Sequence, residues 1–230
     1  MQDFKSLNTN IKRTYDSARG VIFQSHFNKK LTTRYFGAHE NSTIIHNGAD
    51  VDYIDKIQAL KNNRLDKFEN VWSCASSWRP HKRLRSNIRY FLEHSSDKDC
   101  LIIAGKTDDA IPKNDRIFYV GDLKIEQLIA LYKRSDYFIH LAWLDHCPNV
   151  VVDARACGNQ IICSSAGGTR EVAGLNAIVI QEDEWDFSPV ELYNPPYLDF
   201  YKKVENSWDI DYNMCKIAEN YKKYLERFID

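Results

Sequence analysis

Short continuous apolar runs alternate along this chain with longer stretches of helical periodicity, and that alternation is its strongest constraint on fold. Runs of four to six residues occur at 20–24, 43–46, 70–75, 100–104, 116–120, 137–141, 160–163 and 177–180. Several are continuous apolar runs rather than alternating ones, as expected of strands covered on both faces of a parallel sheet. Between them, 28–35, 51–60, 83–94, 125–134, 149–157 and 211–228 carry helical spacing. In the last, Met214, Ile217, Ala218, Tyr221, Tyr224, Leu225 and Phe228 make one apolar face. Strand–helix–strand alternation of this kind predicts an α/β fold, a Rossmann-like doubly wound sheet with helices on both faces.

The 230 residues suffice for one sizeable core, or one domain and part of another. The turn signal Asn47-Gly48 suggests the boundary. Before it the chain reads helix, strand, helix, strand; from residue 48 to 230 it reads as a complete α/β domain. An exposed amino-terminal strand would add to that domain's sheet edge or pair with a second copy, so a homodimer is one assembly the pattern allows. Residues 186–196 carry three prolines and read as an extended connection. A net charge of -1 gives no case for nucleic acid. The polar start has no secretory pattern, and no apolar run is long enough to span a bilayer. Six cysteines without a CxxC pair read as buried thiols of a reducing, cytoplasmic compartment.

The chemistry concentrates between Asp136 and Gly174. A strand ends near Leu141, a loop follows, and Pro148 stands where a helix begins. Open α/β sheets bind ligands at such strand-to-helix loops. Free N–H groups at the helix start, near Asn149 and Val150, favour a phosphate. Asp145 lies in the loop and Asp153 lies eight residues on, within the helix. Ionised carboxylates are good ligands for paired hydroxyls because both oxygens accept. The histidines lack metal spacing, so no metal or other cofactor is expected.

The stretch DHCPNVVVDARACG, continued by Gly167, Gly168, Glu171 and Val172, resembles the signature of glycosyltransferase family 4, which has two glutamates with seven residues between them, a Pro-Asn-like loop, a helix ending Ala-x-Ala-Cys-Gly and a Gly-Gly-x-x-Glu-Val turn. Ser76-Ser77-Trp78-Arg79-Pro80-His81-Lys82 resembles the family's Gly-Arg-Leu-x-Pro-Glu-Lys loop. Residues 101–105 resemble its strand and glycine turn, Val120-Gly121-Asp122 its base-side loop, and Asn47-Gly48-Ala49-Asp50 the opening of its carboxyl-terminal domain. The resemblance implies the nucleotide-sugar-binding half of a retaining GT-B enzyme. Asp145 would contact the donor sugar and Asp153 the ribose. Lys82 would bind the diphosphate, with Arg79 standing in for an arginine whose family position is Ser77. His146, Pro148, Asn149, Val150, Gly105, Val120 and Gly121 would line the donor site.

Both family glutamates are aspartates here, each shorter by one methylene, and His146 replaces a glycine. Residues 1–47 resemble only the last strand and helix of the family's acceptor domain. An acceptor glycan or lipid would therefore be bound through a missing amino-terminal domain or partner chain, which could hold the protein at a membrane. These departures also motivate a second reading, a non-catalytic nucleotide-sugar-binding or assembly subunit.

Overall fold

A computed structural model describes residues 4–229. Seven strands form the main sheet: β3 (Asn70–Ala75), β4 (Asp99–Ala104), β5 (Ile117–Gly121), β6 (Tyr137–His140), β7 (Gln160–Ser164), β8 (Ile178–Ile180) and β9 (Lys203–Val204). Their order is β5-β4-β3-β6-β7-β8-β9; every pairing is parallel except that of β9 with β8.

The apolar runs explain the layering. Side chains alternate across a strand, so a fully apolar strand feeds two cores. Trp72, Cys74, Leu101, Ile103, Ile139, Leu141 and Ile162 join one core with Leu84, Ile88 and Phe91 of α4 (Leu84–His94). Val71, Ala75, Cys100, Ile102, Phe138, Ile161 and Cys163 join the other. There they meet Ile129 and Tyr132 of α5 (Ile125–Arg134) and Val151, Val152 and Ala154 of α6 (Asn149–Ala156). Each such fully buried aliphatic side chain contributes roughly 1.5–3 kcal/mol.

The amino-terminal segment makes its own layer. It comprises α1 (Phe4–Ser17), β1 (Val21–Phe23), α2 (His26–Phe36) and β2 (Ser42–Ile44). Here the structure departs from the sequence expectation: β1 pairs in parallel with β2 in a separate two-stranded sheet and does not extend the edge of the main one. Its cover is the long carboxyl-terminal helix α8 (Met214–Leu225), whose Ile217 and Tyr224 pack on Ile45 and Ile22. Tyr224 also donates its hydroxyl hydrogen to the Asn41 carbonyl at 2.8 Å. Helix α3 (Val51–Lys56) stops four residues short of its expected end, because Ile57 turns extended and its carbonyl accepts from Lys133 Nζ at 2.8 Å. A short helix, α7 (Thr169–Val172), follows β7.

One carboxylate fastens the two layers. Glu171 of α7 is 3% exposed. It accepts from the backbone N–H of His26 and Phe27, at 2.7 and 2.8 Å, and from His46 Nε2 at 2.9 Å. The first two donors are orphan groups of the α2 start, so Glu171 caps that helix from another part of the chain.

Candidate functional site

The main sheet reverses direction at β3. The chain builds outward from it through β4 and β5, then crosses to its other side at β6. Ligands of open α/β sheets bind in the crevice beyond the carboxyl ends of the two strands at such a switch point. Two loops meet there: residues 76–83 after β3 and residues 141–148 after β6. The N–H of Trp143 donates to the His81 carbonyl at 2.7 Å. Fully buried Asn87 joins both loops, donating to the Lys82 and Arg83 carbonyls at 3.2 and 2.7 Å and accepting from the Leu141 N–H at 3.2 Å.

At the centre Lys82 Nζ meets Asp145 Oδ2. His140 Nε2 reaches the same oxygen at 3.0 Å, and Oδ1 accepts from the backbone N–H of His146 at 3.0 Å. Burial would raise the Asp145 carboxyl. The hydrogen bond and charge of His140, with the Lys82 ammonium, more than offset it and hold the group well below the usual carboxylate range. Burial and the Lys82 charge push neighbouring His81 down to about 4, leaving it neutral at physiological pH. Backbone strain brackets the pair. Arg83 follows Lys82 with φ 54°, and Leu144 precedes Asp145 with φ 55°. Such conformations cost energy in non-glycine residues and persist where the surroundings impose them. For Arg83 the restraint is a bidentate pair with Glu182, both bonds 2.7 Å, plus a bond to the Pro196 carbonyl at 2.9 Å.

Helix α6 begins at Asn149, four residues after Asp145. Pro148 caps it and accepts from the N–H of Val151 and Val152. The N–H groups of Asn149 and Val150 have no partner among the described residues, while the Asn149 side chain accepts from Asn47 Nδ2 at 2.6 Å. One turn along, Asp153 is largely buried and has no hydrogen bond or ion pair among the described residues; burial raises its carboxyl to about 6. On the β4–β5 side, the Gly105 N–H donates to the Gly121 carbonyl at 2.7 Å beside exposed Val120. At Gly105, φ is +98° and a Cβ would lie 1.9 Å from the Ser76 carbonyl oxygen, so only glycine fits between these loops.

With this geometry in view, residues 80–186 match the family model described as glycosyl transferases group 1. This stretch, just under half of the chain, is similar to a group 1 glycosyltransferase domain. An uncharacterized glycosyltransferase of Methanocaldococcus jannaschii is 25% identical over 95% of this chain and 61% of its own length. Anabaena HepE, solved with UDP-glucose, superposes with a TM-score of 0.62 at 18% identity, over 80% of this chain and 55% of that one. The catalytic domain of starch synthase IV from Arabidopsis thaliana, bound to ADP and acarbose, gives 0.64 at 14% identity, over 94% and 57%. These two likenesses concern the fold, a mostly parallel α/β sheet shared with GT-B glycosyltransferases. The chain thus spans between about half and two thirds of these relatives.

The residues expected from sequence lie at or beyond the carboxyl ends of β3, β4, β5 and β6, with Asp153 one turn into α6. Lys82 and Asp145 are in direct contact, with the α6 start beside them. Arg79 caps the short 3-10 turn Pro80–Lys82 with its side chain in solvent. His146 leans outward, its Nδ1 3.2 Å from Asn28 Nδ2 and its ring 5.8 Å from Phe27. Three residues were not singled out from sequence: His140, Asn87 and Arg83. His140 had a readable signal, since an imidazole in an otherwise apolar strand requires a buried partner. The other two act through long-range contacts that no local pattern reveals. No helix among the described residues is long and apolar enough to cross a membrane.

Proposed function

We propose that this chain is the donor-binding part of a retaining glycosyltransferase of family 4 type, using a nucleoside diphosphate sugar. Residues 48–230 form the donor domain, and residues 1–47 are the last elements of an acceptor domain. The carrying observation is the Lys82–Asp145 contact at the switch point, beside two unpartnered N–H groups of α6. Nucleoside diphosphates in the HepE and starch synthase IV structures support the ligand class.

The unliganded pairing defines what the donor must do. Lys82 turns from Asp145 to the incoming diphosphate, and the Asn149 and Val150 N–H groups take the same anion. Asp145, released from Lys82 but still held by His140, accepts from hydroxyls of the sugar. Asp153 receives the ribose hydroxyls, and the base lies over Gly105, Val120 and Gly121. In transfer, the bond from the anomeric carbon to the diphosphate breaks and a bond from the acceptor oxygen forms. The acceptor's proton leaves with the diphosphate. Lys82, Arg79 and the helix start stabilise the charge that builds on that leaving group.

Calorimetric titration with a panel of nucleoside diphosphates and their sugars tests this. Saturable binding, weakened by both Lys82→Ala and Asp153→Ala, is expected. No binding to the wild-type chain at millimolar ligand would defeat the proposal and favour the assembly-subunit reading.

A further inference from the structure

Beyond Asp145, on the side of the crevice away from Gly105 and Gly121, lies a second cavity of about 400 Å3. It sits at the carboxyl ends of β7 and β8 and extends under the start of α2. Its floor includes Leu144 and Gly167. Both adjoin the reactive centre: Leu144 precedes Asp145, and Gly167 forms a bridge with Asp145. The volume is within the range of small-molecule sites, roughly 300–1,000 Å3.

We infer that this cavity is an acceptor subsite for a neutral sugar residue, so that this chain itself holds part of the acceptor. The inference rests on the proposed glycosyl transfer. It differs in placing acceptor recognition on this chain rather than wholly on a missing domain.

Four aromatic rings define the walls. Trp185 and Phe187 lie 4.9 Å apart, Phe187 stacks on Phe27 at 6.3 Å, and Trp208 stands 4.9 Å from His26 across the cavity. Large aromatic faces suit the C–H face of a pyranose, while its hydroxyl rim needs donors and acceptors. The cavity supplies both. The side chains of Arg170 and Asp183 and the indole N–H of Trp208 line it, and none of these side-chain groups has a hydrogen-bond partner among the described residues. The charges largely cancel, which suits a neutral ligand: Glu182 pairs with Arg83, Glu184 with Lys30 and Glu171 with His46 and the α2 start, leaving Asp183 and Arg170 as one charge of each sign. A carboxylated or phosphorylated sugar would find no net positive charge there to offset its desolvation.

The aromatic wall is held in place at a cost. Phe187 has φ 64°, an outlier for a bulky residue, yet its carbonyl accepts from the Tyr35 hydroxyl and its ring carries Lys30 Nζ at 5.0 Å. Arg83, Leu144 and Phe187 are the three non-glycine residues with positive φ among the described residues. Two bracket the Lys82–Asp145 pair and the third sets this wall. Strain of that kind gathers at ligand sites. The sheet edge then carries three stations in order: base at β4–β5, diphosphate and donor sugar at β3–β6, and acceptor sugar at β7–β8.

The test is a titration of the full chain with methyl glucoside, methyl mannoside, methyl galactoside and N-acetylglucosamine. Glucuronate serves as the anionic control, with saturation-transfer NMR and indole fluorescence as readouts. At least one neutral sugar should saturate in the millimolar range, Trp185→Ala should weaken it about tenfold, and Asp183→Asn should also weaken it. A parallel titration of Trp185→Ala with nucleoside diphosphates should match the wild type, which also confirms that the variant is folded. Saturation by none of the neutral sugars, preference for glucuronate, or equal binding by Trp185→Ala would each overturn the subsite. Failure of donor binding by the wild type would instead remove the reading on which it rests.

Discussion

Replacing Asp153 by asparagine should stabilise the empty protein and weaken the donor complex. The carboxyl is raised from 3.8 to about 6 by burial alone. That rise of about 2 pKa units corresponds to about 3 kcal/mol at about 1.4 kcal/mol per unit. The direction follows from linkage. Between pH 3.8 and about 6 the folded protein holds a proton here that the unfolded chain has released, so stability falls as pH rises through that window. Above it the folded state carries the full penalty of an unpaired buried charge. Asparagine has nearly the same shape and no charge. At pH 7.5 the variant should be more stable by up to about 3 kcal/mol, a rise in Tm of roughly 6–12 °C for a chain of this size. Near pH 4 the two proteins should melt together. Denaturant unfolding of both at several pH values, with the difference plotted against pH, isolates this group from every other titration. Nucleoside diphosphate should reverse the ranking, because ribose hydroxyls satisfy two carboxylate oxygens but only one amide oxygen. A constant difference across pH, or a variant no more stable at pH 7.5, would refute the argument that Asp153 waits unpaired for a ligand.

Other perturbations separate site from scaffold. Lys82→Met leaves Asp145 buried with only His140 and the His146 N–H, and should cost about 3–5 kcal/mol in denaturant unfolding; adding Asp145→Leu should recover part of it. The Asp145 carboxyl is held low in the folded state, so its contribution is present above pH 3.8 and fades as pH falls further; the stability gap between wild type and Asp145→Asn should narrow below pH 4. Glu182→Gln removes the charge partner of buried Arg83 and should cost about 3 kcal/mol, read by the melting temperature. At Gly168 an added Cβ would lie 1.9 Å from the His146 carbonyl oxygen, so Gly168→Ala should shift the Asp145 loop and abolish donor binding by calorimetry while circular dichroism stays native. Glu171→Ala frees the start of α2 and should sharply raise hydrogen exchange across His26–Phe36, with the main sheet unchanged.

What the sequence made legible was whatever depends on local pattern. Strand β3 and helix α5 match the expected ranges to the residue, because a largely apolar hexamer and an amphipathic decamer each announce themselves. Strand β9 has two residues and was not anticipated; α7 has four and was expected only as a turn, being too short for any period to register. The separate β1–β2 sheet was misassigned for a different reason: an apolar strand states that it must be paired, and its partner is decided by where α8 packs. The same division runs through the site. Asp145, Asp153 and Lys82 are candidates from sequence because they sit at fixed spacing in motif-bearing loops and the start of α6. Their states were not: that Asp145 is saturated by Lys82, His140 and a backbone N–H, while Asp153 is left with none, follows only from the three-dimensional arrangement. The two acids look equivalent along the chain, yet burial drives one up to about 6 and three donors draw the other down. Opposite shifts at two carboxylates eight residues apart point to a site that awaits a ligand. Such a ligand would bring an anion to draw Lys82 away from the first acid and hydroxyls to satisfy the second, and a nucleoside diphosphate sugar carries both.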